Sequence, residues 1–145
     1  MKRMLGYCIA LTGLLASSLT AAQDPAANPL LAERGHHRPL VMIAPQANDP
    51  DYRRLAIELD QPPNRTALEQ RGMPLYTVIG GVGSRDGHPL TPYETAALMA
   101  ALQSDGFGPL RVILIGRDGE PKMDIEGYLP SSQILDIADR IDTRR

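Results

Sequence analysis

The sequence predicts an α/β domain on a mixed four-stranded sheet, a βαβ unit followed by a ββα unit, with helices on both faces. Three observations predict it. Apolar runs at 39–44, 73–80 and 110–116 have the length and composition of strands. Between them lie amphipathic or alanine-rich helical stretches with their own start signals. Asp118-Gly119 then turns the third run back into an alternating fourth, and a final helical stretch follows.

The first strand, Leu40-Val41-Met42-Ile43 ended by Pro45, is apolar at every position, as a strand buried on both faces must be. Asp49 is placed to cap the next helix and Pro50 to occupy its first position, where a missing N–H costs nothing. Tyr52, Leu55, Ala56 and Leu59 then form one apolar stripe. Pro62 and Pro63 stop that helix, and a second turn is expected from Asn64 or from Thr66, the latter paired with Glu69 as a capping box. The second strand starts near Pro74, and residues 81–88 read as a polar, glycine-rich loop. Thr91-Pro92-Tyr93-Glu94 carries a cap, a first-position proline and a glutamate that can reach back, predicting a helix to about Ser104. Gly106-Phe107-Gly108-Pro109 separates it from the third strand. Met123 and Ile125 alternate with Lys122 and Asp124 on an antiparallel edge strand. Ser131 or Ser132 is the expected cap of the last helix, with Ile134, Ile137, Ala138 and Ile141 on one face. Right-handed crossovers fit this order only if the chain reverses direction along the sheet, which is the thioredoxin-like arrangement. A flavodoxin-like sheet is the rival, but an all-parallel arrangement has no place for the Asp118-Gly119 hairpin.

The chain has 145 residues, and its first 22 have the layout of an export signal: Lys2 and Arg3, an apolar stretch, then small residues up to Ala21-Ala22. The expected organisation is a signal peptide at 1–22, a flexible segment at 23–37 packing in part through Leu30 and Leu31, and a thioredoxin-like domain at 38–145. The destination is then periplasmic or extracellular, with no membrane span after cleavage. The one cysteine, Cys8, lies in the signal, so the exported part has no thiol. With 17 acidic residues against 15 basic, two of the latter in the signal, the exported part is net negative. Its basic residues are scattered, which excludes an electrostatic footprint for nucleic acid.

Arg38-Pro39-Leu40-Val41 through Ala44-Pro45, Asp49-Pro50-Asp51-Tyr52, and Leu114-Ile115-Gly116-Arg117-Asp118-Gly119 followed by Lys122 resemble a peroxiredoxin-like domain of unknown function. That domain is shared by proteobacterial secreted proteins and animal sushi-repeat-containing extracellular proteins. The resemblance runs from about Asn28 to Asp142 and implies a thioredoxin fold without established catalysis. Family members often carry an aromatic residue where His36 and His37 stand here.

Redox proteins of this fold hold their reactive cysteine between the first strand and first helix, where helix-terminal amides stabilise a thiolate. Here that stretch reads Pro45-Gln46-Ala47-Asn48-Asp49, with no thiol, so electron transfer and peroxide reduction are excluded chemically. The expectation is a non-catalytic binding or accessory module, with Gln46, Asn48, Asp49, Tyr52 and Pro109 as its candidate cleft and a protein or peptide of the cell envelope as its partner. No catalytic residue, metal or cofactor is assigned.

Other constellations are weaker. His36 and His37, with His88 as a third, suggest a metal or an enzyme of another class, but adjacent residues on an extended segment point apart and no ligand spacing is present. Asp118, Glu120, Asp124 and Glu126 lack the spacing and central glycine of a calcium loop. Gly80-Gly81-Val82-Gly83-Ser84 has no phosphate-loop lysine. Ser84, Asp86 and His88 are too close along one loop to converge as a triad.

Overall fold

A computed structural model describes residues 24–142. The segment expected to be a signal, with Cys8, lies outside the described residues. A 3-10 turn (Pro25–Ala27) and helix α1 (Leu30–Glu33) lead into strand β1 (Leu40–Ala44). Helices α2 (Pro50–Asp60) and α3 (Pro62–Gln70) follow, then strands β2 (Leu75–Ile79), β3 (Val82–Arg85) and β4 (His88–Pro89). Helix α4 (Pro92–Ala101), strands β5 (Arg111–Ile115) and β6 (Pro121–Glu126), and helix α5 (Ser131–Asp142) complete the chain.

The sheet order is β4-β3-β2-β1-β5-β6. β1 pairs parallel to β2 and antiparallel to β5, and β5 pairs antiparallel to β6. The four strands β2-β1-β5-β6 are thus the βαβ and ββα units of the thioredoxin-like arrangement, and the antiparallel β5 excludes the all-parallel rival. β1 is buried along its whole length because it is central and covered on both faces. Leu40, Met42, Val112 and Leu114 pack with Leu55, Leu59, Leu68 and Ile134 under α2, α3 and α5. On the other face Val41, Ile43, Tyr76 and Ile113 pack with Leu30 and Leu98 under α1 and α4.

The sheet has six strands rather than four, because the expected loop at 81–88 is a double hairpin. Gly80 and Gly81 (φ +57° and +80°) make a two-residue turn between Ile79 and its partner Val82. Asp86 and Gly87 (φ +47° and +81°) do the same between Arg85 and His88. Paired positive φ angles match the right-handed twist of the flanking strands, so backbone pairing forms despite weak side-chain propensity.

Several helix starts follow their signals. Asp49 accepts a hydrogen bond from the Tyr52 amide at 2.9 Å, and Thr91 and Glu94 form a reciprocal capping box. α4 stops at Ala101, short of Ser104, and Gln103 takes a positive φ. Two starts differ. α3 begins at Pro62 itself, capped by the Gln61 backbone and not by Asn64 or Thr66, since prolines are tolerated in a first helical turn. α5 is capped across the fold: the Glu58 carboxylate of α2 accepts from the Ser131 amide at 3.0 Å.

The entry segment is expected to pack in part through Leu30 and Leu31. Leu30 and Glu33 are buried, whereas Leu31 is exposed. Arg34 Nε donates to the Asp118 carbonyl at 2.8 Å, and the Gly35 amide donates to that of Arg117 at 2.7 Å, fastening the segment to the β5–β6 turn.

Candidate functional site

The register sets Ile43 opposite Arg111, so Pro45 and Pro109 lie at the same end of the sheet, beside the start of α2. Gln46, Asn48 and Pro109 are exposed and Asp49 is half-buried. The Asp49 carboxylate takes the Tyr52 amide, its backbone carbonyl takes that of Arg53, and Asp51 adds a second negative charge in the first turn. This helix N-terminus is therefore already supplied with anionic groups. No cis peptide bond occurs among the described residues, so the bond before Pro109 is trans.

Of the five candidate residues, Tyr52 alone lines a sizeable open space. A groove of about 1080 Å³ runs between α2, α3 and the β2–β3 part of the sheet. Tyr52, Ala56 and Ile57 form one wall and Leu75 and Thr77 the floor. It exists because the added hairpin widens the sheet beyond the helices that cover β1, β5 and β6 on this face. Ile57 is 60% exposed on its rim. The Thr77 and Ser84 hydroxyls pair at 2.6 Å across β2 and β3.

At the far end of the groove stand His37, Arg85 and Asp86, organised by a buried carboxylate that sequence reasoning missed. Glu33 is only 5% exposed. Its Oε1 accepts from Tyr76 Oη and from Arg85 Nε, both at 2.6 Å, and its Oε2 lies 2.6 Å from His37 Nδ1. Burial alone would raise the Glu33 carboxyl, but the hydrogen bonds from Arg85, Tyr76 and His37, with the guanidinium charge, hold it below the ordinary range. Burial, then the hydrogen bond to Glu33, pushes the Tyr76 phenol well up. The Glu33 hydrogen bond raises the Arg85 guanidinium against the opposing effect of burial. Glu33 would have been hard to find, because a short helix in an apparent tether gives no periodic signal.

The other constellations are occupied by ordinary pairings. His37 is engaged with Glu33 while His36 is exposed. Ser84 is bonded to Thr77, and Asp86 Oδ1 accepts from the Leu75 amide at 2.8 Å, so Ser84, Asp86 and His88 form no relay. Asp118 holds Lys122 at 2.6 Å, and Asp124 is bidentate to Arg111. Those partners keep both carboxyls low, with the Glu120 amide assisting at Asp118. Among the described residues no three His, Cys, Asp or Glu side chains are grouped to hold a metal ion, and no helix is long and apolar enough to cross a membrane.

No curated protein matches the chain. Among solved structures it is similar to the oxidised C-terminal domain of Neisseria meningitidis DsbD, with 20% identity and a TM-score of 0.48 over 87% of this chain and 96% of that one. Residues 29–145 match the family described as a domain of unknown function, DUF4174. With nearly all of the described domain inside that match, the chain belongs to the DUF4174 family.

Proposed function

We propose that this protein is an exported, non-catalytic thioredoxin-like module that binds a segment of a partner protein in the cell envelope and performs no thiol chemistry. One observation carries the reading. The start of α2 is closed by the Asp49 carboxylate, while the open, partly apolar space lies farther along the same helix beside Tyr52, Ala56 and Ile57. A thiolate and a carboxylate compete for the same amide donors, so a chain with Asp49 there and no cysteine after Cys8 has put that helix end to structural use. A concave surface with an apolar wall and a few polar groups is the usual form of a binding site. The apolar stretch from Met4 to about Leu15, the mostly small residues from Ala16 to Ala22 and the net negative charge of the remainder fit export of a non-nucleic-acid-binding domain.

Photo-crosslinking in cells tests this, with the reactive group at Ile57 in one strain and at Asn48 in another. A reproducible protein adduct from Ile57 is expected. Adducts from Asn48 alone would move the contact to the start of α2, and none from either position would overturn the reading. Insulin reduction with dithiothreitol should not exceed the protein-free rate.

A further inference from the structure

Resting on that reading, we infer that the groove takes a partner segment that combines aliphatic with basic residues. The argument is one of charge around an apolar trough. Asp60, Glu69 and Asp86 face Arg65 and Arg85 along the groove. Both guanidiniums are already engaged: Arg65 lies 3.5 Å from Asp60, and Arg85 lies between Glu33 at 2.6 Å and Asp86 at 3.3 Å. Glu69 is exposed, and while its backbone carbonyl accepts from the Gly72 amide at 3.0 Å, its carboxylate takes part in no hydrogen bond or ion pair among the described residues. His37 shares the Glu33 carboxylate and adds no free cation unless protonated. Three carboxylates therefore line the groove against two guanidiniums, both of them already paired, and the surplus is negative. A second acidic surface would be repelled, and an anionic ligand at Arg85 would have to displace carboxylates already in place.

The apolar part fixes the rest of the occupant. Ala56 and Ile57 on α2 and Leu75 on β2 offer aliphatic surface, and Tyr52 offers an aromatic face. Aliphatic side chains fill that trough while lysine or arginine side chains reach Glu69, Asp60 and Asp86 at its margins. Charge at a rim chiefly sets partner choice and association rate, so the preference should weaken as salt rises.

The test uses the purified exported protein and three labelled synthetic peptides of equal length: leucine with lysine, leucine with glutamate, and leucine with serine. By fluorescence anisotropy at low salt, the leucine–lysine peptide should bind roughly tenfold or more tightly than either other, and the advantage should shrink at high salt. Glu69→Lys with Asp60→Lys should reverse the order. Ile57→Asp should weaken the leucine–lysine peptide, and amide shifts should map to α2 and β2. Equal affinity for lysine and glutamate peptides, or shifts confined to another face, overturns the charge assignment. If Ile57 crosslinks a partner in cells whose contacting segment is acidic, the binding reading survives and this inference falls. If no peptide binds and Ile57 captures nothing, both fall.

Discussion

Glu33 shows how much one side chain decides when it is buried with its partners. Three groups from three places, Tyr76 on β2, Arg85 on β3 and His37 after α1, converge on its two oxygens within 2.6 Å. Replacing the carboxylate by an amide leaves the guanidinium without its counter-charge and one accepting oxygen where there were two, so Glu33→Gln should destabilise the fold by about 1–3 kcal/mol at neutral pH. The pH dependence has a definite sign. The folded-state carboxyl is held below its ordinary value, so its contribution is fully present above about pH 4.3 and is lost as pH falls through the folded value. Urea midpoints measured from neutral to strongly acidic pH should therefore fall less steeply on the acid side in Glu33→Gln than in the wild type. Superimposable acid limbs would show that Glu33 does not carry this coupling. Nothing in the sequence pointed to Glu33, whereas Asp49 and Thr91 were legible because capping is local: donor and acceptor lie within one turn of the same chain segment.

The double hairpin β2-β3-β4 is the element that distinguishes this sheet from a four-stranded core. Gly80-Gly81 and Asp86-Gly87 form its turns, but the sequence reads as one loop over 81–88 because Val82-Gly83-Ser84-Arg85 lacks the run of β-branched residues that marks a strand. Packing on α4 explains why Gly83 can be there. A Cβ at Gly83 would stand 2.4 Å from Thr95 Oγ1, closer than real atoms approach, with Leu90 Cδ1 at 3.1 Å and Thr95 Cγ2 at 3.2 Å in tight contact. Gly83→Ala should therefore cost about 1–3 kcal/mol by overpacking. Thr95→Ala removes the two Thr95 atoms, leaving only the flexible end of Leu90 to give way, and loses one hydrogen bond, from Thr95 Oγ1 to the Thr91 carbonyl at 3.0 Å. The double variant should then recover most of the loss, a favourable coupling of about 1 kcal/mol or more in a double-mutant cycle by urea denaturation. Additive losses would mean that α4 does not press on β3 at this point. Thr91→Ala, which removes only the cap of α4, should cost about 1 kcal/mol and show no coupling to Gly83→Ala.

At the scale of the whole molecule, the order of the four core strands and of the helices between and after them was legible because each of those apolar runs is long enough to choose its period. The groove was not, because it arises where an added hairpin outruns the helix layer, a relation among elements far apart in sequence. The architecture sets a helix start against the end of a central strand, and whether that start supplies a field that stabilises a thiolate can be measured. Replacing Asp49 by cysteine puts a sulfur where a side chain now accepts the Tyr52 amide at 2.9 Å. A thiolate there would accept the same donor at the positive end of α2, which favours the charged form, while Asp51 in the first turn opposes it. Ultraviolet titration of thiolate absorbance should place Asp49→Cys below the ordinary cysteine value of about 8.5. Phe107→Cys, at an 82% exposed position away from any helix start, should titrate near that value. Adding Asp51→Asn to Asp49→Cys should lower the thiol further. None of the three should reduce insulin above background, since each has a single thiol after residue 22 and disulfide exchange needs a second to resolve the mixed disulfide. If Asp49→Cys titrates no lower than Phe107→Cys, the α2 terminus supplies no field that stabilises a thiolate at this position.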